Sequence, residues 1–204
     1  MLIGLITAKI SSMQLILADW VFGYGSLIWS PEFDHDEAQL ARLHGFHRSF
    51  CVRSTRYRGT PEQPGVVLGL DRGGSCTGLA YRLRPATRQQ AIEQLYEREM
   101  RNRVYTPSLV TVQLDGGLRI DALTFVANRE SDAYQRLSED ELVRRLSACC
   151  GQRGANRDYL INTERSLAER GVRDAMLARL VQRLSAASAS SATSAASTAS
   201  AYAA

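Results

Sequence analysis

The sequence has 204 residues, a formal net charge of +4 and a hydrophobic fraction of 45%. No apolar run approaches the roughly 18 residues of a membrane-spanning helix, so the composition predicts a globular protein without a membrane segment. The 25 basic residues are interspersed among 21 acidic ones and form no basic run, which argues against a nucleic-acid-binding surface.

The two ends of the chain differ in composition from its centre. Residues 1–18 are apolar, but Lys9 interrupts them and no positive residue precedes the apolar stretch, unlike in a signal peptide. We interpret them as an extension that adds nothing to function, with Met13 as an alternative start. Residues 185–204 are almost only Ser, Ala and Thr, which predicts a disordered tail. One domain of ordinary size is therefore expected over residues 19–184.

The cysteines and histidines predict no metal site. Cys149 and Cys150 are adjacent, and no C-x-x-C pair exists among the four cysteines. His44 and His47 have i, i+3 spacing but lack further ligands nearby. We expect reduced thiols, a cytoplasmic location, and neither a metal nor another cofactor.

The most informative stretch is DWVFGYGSLIW at residues 19–29. Residues 20–22 are aromatic and β-branched and predict a buried strand. Gly23 and Gly25 then permit positive φ and remove side chains from the path of the backbone. The backbone N–H groups of such a turn can converge into a nest that binds a carboxylate or phosphate; the alternative is an ordinary turn. The pattern lacks the third glycine of a dinucleotide loop and the lysine of a P-loop.

The remaining elements predict an α+β fold with a largely antiparallel sheet. Alternating apolar residues predict strands, Gly/Pro-rich segments predict turns, and the 3.6-residue period and capping signals predict helices. In chain order we expect one or two strands within 40–52, a loop at 56–65, a strand at 66–70, a hairpin turn at 71–74 and a returning strand at 75–83. A helix is expected over 87–100, followed by strands at 104–114 and 118–127 around a second hairpin. Three helices are expected at the end of the domain, at 138–151, 156–170 and 174–184.

The helix over residues 87–100 carries one carboxylate on its apolar face. At about 100° per residue and with Ile92 at zero, Leu95 falls near −60°, Tyr96 near +40° and Ala91 near −100°. Glu99 falls among them, at about −20°. The charged and amide side chains elsewhere on the helix lie on the opposite, solvated side: Gln90, Glu93, Gln94, Glu97 and Arg98.

The position of Glu99 has two interpretations. A carboxylate buried without purpose is costly, and in an apolar cleft its desolvation would tune it as a general acid/base. Alternatively, the helix end bends into solvent there, or Glu99 pairs with an arginine such as Arg101 or Arg103.

Five sequence blocks together resemble one family. They are WVFGYGSLIW at 20–29, RGTPEQPG at 58–65, CTGLAYRL at 76–83, YEREM at 96–100 with Tyr105 shortly after, and NRDYL at 156–160. In this order they are similar to the ChaC family, the glutathione-specific γ-glutamylcyclotransferases. The resemblance runs from about residue 19 to residue 174.

The resemblance implies a γ-glutamylcyclotransferase-like fold, with a barrel-like sheet and flanking helices. It implies that Glu99 is the catalytic acid/base and that the γ-glutamyl group of the substrate is bound by a second set of residues. That set is Val21, Phe22, Gly23, Tyr24, Gly25, Ser26 and Tyr105.

The implied reaction releases 5-oxoproline and Cys-Gly from glutathione by attack of the glutamyl α-amine on the side-chain amide. It implies a small-molecule substrate and neither a nucleic acid nor a membrane as partner. Two alternatives stay open. One is a cyclotransferase for other γ-glutamyl amines or dipeptides. The other is a non-catalytic ligand-binding or cation-transport-associated module.

Overall fold

Five β-strands form a closed barrel in the computed structural model, which describes residues 15–100 and 103–187. In chain order the strands are β1 (Trp20–Gly23), β2 (His35–Ser54), β3 (Gly65–Leu83), β4 (Tyr105–Leu114) and β5 (Arg119–Ala127). Around the barrel the order is β1, β3, β2, β4, β5. Strand β1 is antiparallel to β3 and parallel to β5, with Val21 opposite both Tyr81 and Leu123.

Four helices accompany the strands in the described ranges, which confirms the predicted α+β class. They are α1 (Arg88–Glu99), α2 (Glu139–Ala148), α3 (Asn156–Ala168) and α4 (residues 175–187). The predicted capping residues form hydrogen bonds at the helix starts. The Ser138 hydroxyl accepts a 3.3 Å hydrogen bond from the Glu141 N–H, and the Asp174 carboxylate accepts from Met176 and Leu177. Gly171 follows α3 with φ 73°, the left-handed conformation that ends helices.

The described residues divide into two compact units. The first contains the residues up to Arg53 together with Leu68–Arg136, and the second contains Ser54–Val67 and the residues from Leu137 onward. All residues of the candidate active site lie in the first unit. The single catalytic domain over residues 19–184 stays a prediction.

The core of the first unit joins α1 to the barrel. Ile92, Leu95 and Tyr96 of α1 pack with Leu123 and Phe125 of β5, and each is at most 3% exposed. Burial of each such side chain contributes about 1.5–3 kcal/mol. These contacts fix the rotation of α1 and therefore the direction in which its remaining side chains point.

Residues just before β1 also belong to this core. Ala18 is buried in it, and Leu15 and Ile16 pack against it. The Ile16 N–H donates a 3.0 Å hydrogen bond to the Tyr96 hydroxyl. Residues 1–14 and 188–204, which include most of the predicted extension and tail, lie outside the described residues.

The predicted hairpin turn at residues 71–74 is wrong, because β3 runs without interruption from Gly65 to Leu83. Its two halves pair with neighbouring strands instead of with each other: Leu70 lies opposite Val126 of β5, and Tyr81 lies opposite Val21 of β1. Gly73 and Gly74 do adopt positive φ, at 95° and 72°. They bend a continuous strand rather than reverse it.

Helix α2 is shorter than predicted. It ends at Ala148 instead of near residue 151, because Cys149 is extended, with φ −84° and ψ 141°. A two-stranded ribbon follows, made of β6 (Cys150–Gly151) and β7 (Gly154–Ala155). None of the helices in the described part of the chain has the length and apolar composition needed to cross a membrane.

Candidate active site

The Gly-rich loop, residues 23–30, leaves the barrel at the end of β1. Val21 and Phe22 are fully buried at 0% exposure, so their side chains form core and only their backbone borders the loop. Tyr24 is also buried, and its hydroxyl donates a 2.6 Å hydrogen bond to the Phe125 carbonyl. A Cβ on Gly23 would lie 2.9 Å from the Leu27 Cβ, so the strand end requires glycine for close packing.

The loop is a short 3-10 turn over Ser26–Ile28, and its glycines do not adopt the positive φ that glycine permits. Gly25 has φ −128°, and Gly23 is not among the glycines with positive φ. The turn bonds begin with the Ile28 N–H, which donates to the Gly25 carbonyl at 3.0 Å. As at any helix N-terminus, such bonds leave the first N–H groups, those of Ser26 and Leu27, outside the turn. The anion nest predicted at the backbone N–H groups of residues 23–26 stays a prediction.

Side chains from three neighbouring strands bind the carbonyl groups of the loop region. The buried Arg48 donates from Nε to the Tyr24 carbonyl at 2.6 Å. Tyr81 donates its hydroxyl to the Leu27 carbonyl at 2.7 Å, and Thr124 donates to the Phe22 carbonyl at 2.9 Å. The loop is therefore held in one conformation by the barrel itself.

Glu99 lies at the end of the buried face of α1, as its helical phase predicted. Its side chain is 17% exposed, whereas Glu97 is an exposed residue on the same helix. The four apolar residues predicted to define the face are each at most 2% exposed. The helix thus presents one carboxylate toward the interior.

Arg98 is the site residue that the helical pattern missed. The prediction placed it on the solvated side, but its side chain is only 14% exposed. Its Nε lies 3.1 Å from Glu99 Oε1, and its Nη2 donates a 2.8 Å hydrogen bond to the Ser26 hydroxyl. At about −120° on the helix, Arg98 is only about 20° beyond Ala91, near enough for a long side chain to fold inward. Arg98 therefore joins Glu99 to the Gly-rich loop.

Tyr105 begins β4 and packs against the same core cluster as α1. Its hydroxyl donates a 2.8 Å hydrogen bond to the Leu68 carbonyl. Its role as a substrate contact stays a prediction.

Two cavities of about 370 Å³ and 210 Å³ open beside α1 and share Glu32, Phe33 and Gln94 in their walls. Arg98 lines the smaller cavity, and Glu99 lines neither. The candidate site therefore rests on the chemistry of the carboxylate and not on the size of a cavity.

Two buried cysteines, Cys51 and Cys149, are poor candidates for a nucleophile. Burial raises the pKa of Cys51 to about 12, and burial also raises the pKa of Cys149. Such thiols stay protonated at neutral pH and unreactive. Among the described residues, no group of three or more His, Cys, Asp or Glu side chains is arranged to hold a metal ion.

Comparison with known proteins finds relatives over most of the chain. The family model described as ChaC-like protein matches residues 19–187. The glutathione-specific gamma-glutamylcyclotransferase of Escherichia coli is 38% identical over 156 residues, which cover 76% of this chain and 68% of that protein. The mouse glutathione-specific gamma-glutamylcyclotransferase 1 is 33% identical over 147 residues, which cover 70% of this chain and 66% of that protein.

A similar fold occurs in a solved structure. The crystal structure of a yeast γ-glutamyl cyclotransferase specific to glutathione superposes with a TM-score of 0.77. The match covers 83% of this chain and 96% of the yeast chain, at 24% sequence identity. The predicted γ-glutamylcyclotransferase-like fold is thereby confirmed.

Proposed function

Because this chain belongs to the ChaC-like family, we propose that it is a glutathione-specific γ-glutamylcyclotransferase, a carbon–nitrogen lyase of glutathione catabolism. The curated names of the bacterial and mouse relatives support this activity. The structural observation that carries the proposal is the inward-facing Glu99, connected through Arg98 to the Gly-rich loop.

The reaction is an intramolecular aminolysis. The α-amine of the glutamyl residue attacks the δ-carbonyl carbon, a five-membered ring closes, and the amide bond to cysteine breaks. The products are 5-oxoproline and Cys-Gly. Because nucleophile and electrophile belong to one molecule, holding the glutamyl chain in its folded-back form can contribute about 7–11 kcal/mol.

Glu99 is the proposed acid/base. The α-amine of glutathione is protonated at neutral pH, and the leaving amine of cysteine must gain a proton. A single carboxylate can accept the first proton and return it to the leaving nitrogen. Such transfer contributes about 10²–10⁴-fold to the rate. The reaction needs no oxidant or reductant, the substrate carries its own nucleophile, and one carboxylate can move the proton, so we propose no cofactor and no metal.

The γ-glutamyl group is proposed to bind at the end of β1. Support comes from the hydrogen bonds that Arg48, Tyr81 and Thr124 donate to carbonyl groups of the loop region. These bonds fix the loop backbone before the substrate binds. The substrate-binding set is the one implied by the family resemblance. Val21 and Phe22 contribute backbone and shape to it, since their side chains are buried. The other members are Gly23, Tyr24, Gly25, Ser26 and Tyr105.

A cytoplasmic location is part of the proposal, and the cysteines support it. Cys51, Cys76, Cys149 and Cys150 form no disulfide bond with one another, as is usual in a reducing compartment. Glutathione is the proposed partner; the charge pattern argues against nucleic acid.

The test is to incubate the purified chain with glutathione and to measure 5-oxoproline and Cys-Gly in equal amounts. A parallel panel of γ-glutamyl dipeptides and amines separates a glutathione enzyme from a broader cyclotransferase. If no substrate of the panel yields 5-oxoproline, the proposal is wrong and a ligand-binding module replaces it.

A further inference from the structure

The guanidinium of Arg98 contacts four groups from two segments of the chain. Its Nε faces Glu99 Oε1 at 3.1 Å. Its Nη2 donates to the Ser26 hydroxyl at 2.8 Å, and its Nη1 donates to the Ser30 carbonyl at 3.1 Å. Nη1 also lies 3.1 Å from Glu32 Oε2. One side chain thus connects the end of α1 with the beginning and the end of the 3-10 turn.

Glu32 shows that this connection constrains the backbone. It has φ 59°, a left-handed conformation that is unfavourable for a residue other than glycine. Its carboxylate accepts hydrogen bonds from Arg98 and from the Ser30 hydroxyl, at 3.1 Å and 2.9 Å. Strained residues persist where their surroundings hold them in place, and such places concentrate at functional sites.

We propose that Arg98 is a positioning residue that fixes the Glu99 carboxylate and the Gly-rich loop in one mutual geometry. The inference rests on the proposed function. The Nε side of the guanidinium sets the direction of the carboxylate that moves the proton. The Nη side sets the position of the turn that holds the glutamyl group. A displacement of about 1 Å between such groups can cost 10²-fold in rate.

The arrangement requires arginine. A guanidinium presents its donors in a rigid planar fork, so that three nitrogen atoms can serve separate partners at once. A lysine side chain has one ammonium group on a flexible chain, so it can bind either Glu99 or the turn but not both. Arg98→Lys should therefore restore only part of what Arg98→Met loses.

The experiment measures kcat and KM for glutathione in Arg98→Met, Arg98→Lys, Ser26→Ala and the Arg98/Ser26 double variants. We expect Arg98→Met to lower kcat by about 10–100-fold and to raise KM. Ser26→Ala, which breaks only the contact to the turn, should mainly raise KM. In an Arg98→Met background, Ser26→Ala should raise KM no further, because the contact is already absent.

The matched control is Arg88→Met, which removes an arginine from the other end of α1. Arg88 pairs with the exposed Asp19, so this variant should keep the parent kcat and KM. Thermal unfolding corrects each rate for the folded fraction. If Arg98→Met does not fold, the same double-mutant cycle with Ser26→Ala and Arg98→Lys tests the positioning role.

The outcomes separate the two proposals. A parent chain that makes no 5-oxoproline overturns the proposed function and this inference together. An active parent with unchanged kcat in the folded Arg98 variants, or with effects of Arg98 and Ser26 that simply multiply, overturns the positioning role alone.

Discussion

Two carboxylates of the first unit, the buried Asp71 and the partly buried Glu99, occupy different kinds of environment. Asp71 lies within β3, and its side chain is 9% exposed. It accepts hydrogen bonds from the Arg129 Nε at 2.6 Å, the Tyr134 hydroxyl at 2.9 Å and the Arg72 N–H at 2.9 Å. Glu99 ends α1, and its partner Arg98 also binds the Gly-rich loop.

The electrostatics of Asp71 are those of a permanent charge. Burial raises its pKa, but the hydrogen bonds from Arg129, Tyr134 and the Arg72 N–H outweigh burial, and the net effect is a lowered pKa. Such a group stays ionised at neutral pH and has no use as a proton carrier. Burial alone therefore does not distinguish the proposed catalytic carboxylate from Asp71. The distinguishing feature of Glu99 is its connection to the proposed substrate-binding loop, and five predictions test this contrast.

The largest expected effect is on Glu99. Glu99→Gln keeps the size of the side chain but cannot accept a proton, so turnover should fall by about 10²–10⁴-fold. Stability should hold, because no buried volume is lost. The measurement is the rate of 5-oxoproline formation. Glu97→Gln, on the exposed face of the same helix, should match the parent; the opposite ranking would refute the assignment of Glu99.

A smaller loss is expected at the end of β1. Gly23→Ala places a Cβ 2.9 Å from the Leu27 Cβ and 3.2 Å from the Tyr81 ring. We expect about a tenfold loss of kcat/KM and a destabilisation of about 1–3 kcal/mol, as for other overpacked sites. Steady-state kinetics measure kcat/KM, and urea unfolding measures the destabilisation. Gly116→Ala, where a Cβ meets nothing within 4 Å, is the control. Normal kinetics in Gly23→Ala would show that the loop geometry does not matter to the substrate.

Asp71→Asn should affect stability and leave catalysis intact. It removes one partner of a buried polar network, which costs about 1–3 kcal/mol. The kcat of the folded fraction should equal that of the parent. A fall in kcat larger than the loss of folded protein would place Asp71 in the catalytic machinery.

The same variant tests the pH dependence of stability. Because the pKa of Asp71 is lowered by folding, its stabilisation is fully present above the ordinary value of about 4. It is lost as the pH falls through the lowered value. The free energy of unfolding of the parent, measured with urea, should therefore fall toward acid pH. That of Asp71→Asn should fall less steeply.

The smallest effect is expected from the ends of the chain. Deletion of residues 1–12 and 188–204 should leave folding and activity unchanged, because neither segment has a patterned apolar face. Circular dichroism and the glutathione assay check this. The deletion stops short of Leu15 and Ile16, which pack against the core; insoluble protein would show that the core extends further.

Much of the candidate site could be predicted from local patterns. The helical phase of residues 91–99 identified both the buried face and Glu99, because the 3.6-residue period depends on the backbone alone. The strand before Gly23 followed from its β-branched and aromatic residues. The conformation of Gly25, with φ −128°, could not be predicted, because a glycine is compatible with many conformations and its neighbours select among them.

Local sequence patterns were sufficient to predict the helices, most strand positions and the face that carries Glu99, since each depends on residues a few positions apart. The continuity of β3 could not be predicted in this way, because strand pairing is a choice among distant partners such as Val21 and Val126. The inward direction of the Arg98 side chain is likewise a tertiary feature. A long side chain at the edge of a helical face can turn to solvent or inward, and the Ser26 hydroxyl, 72 residues away, provides the inward partner.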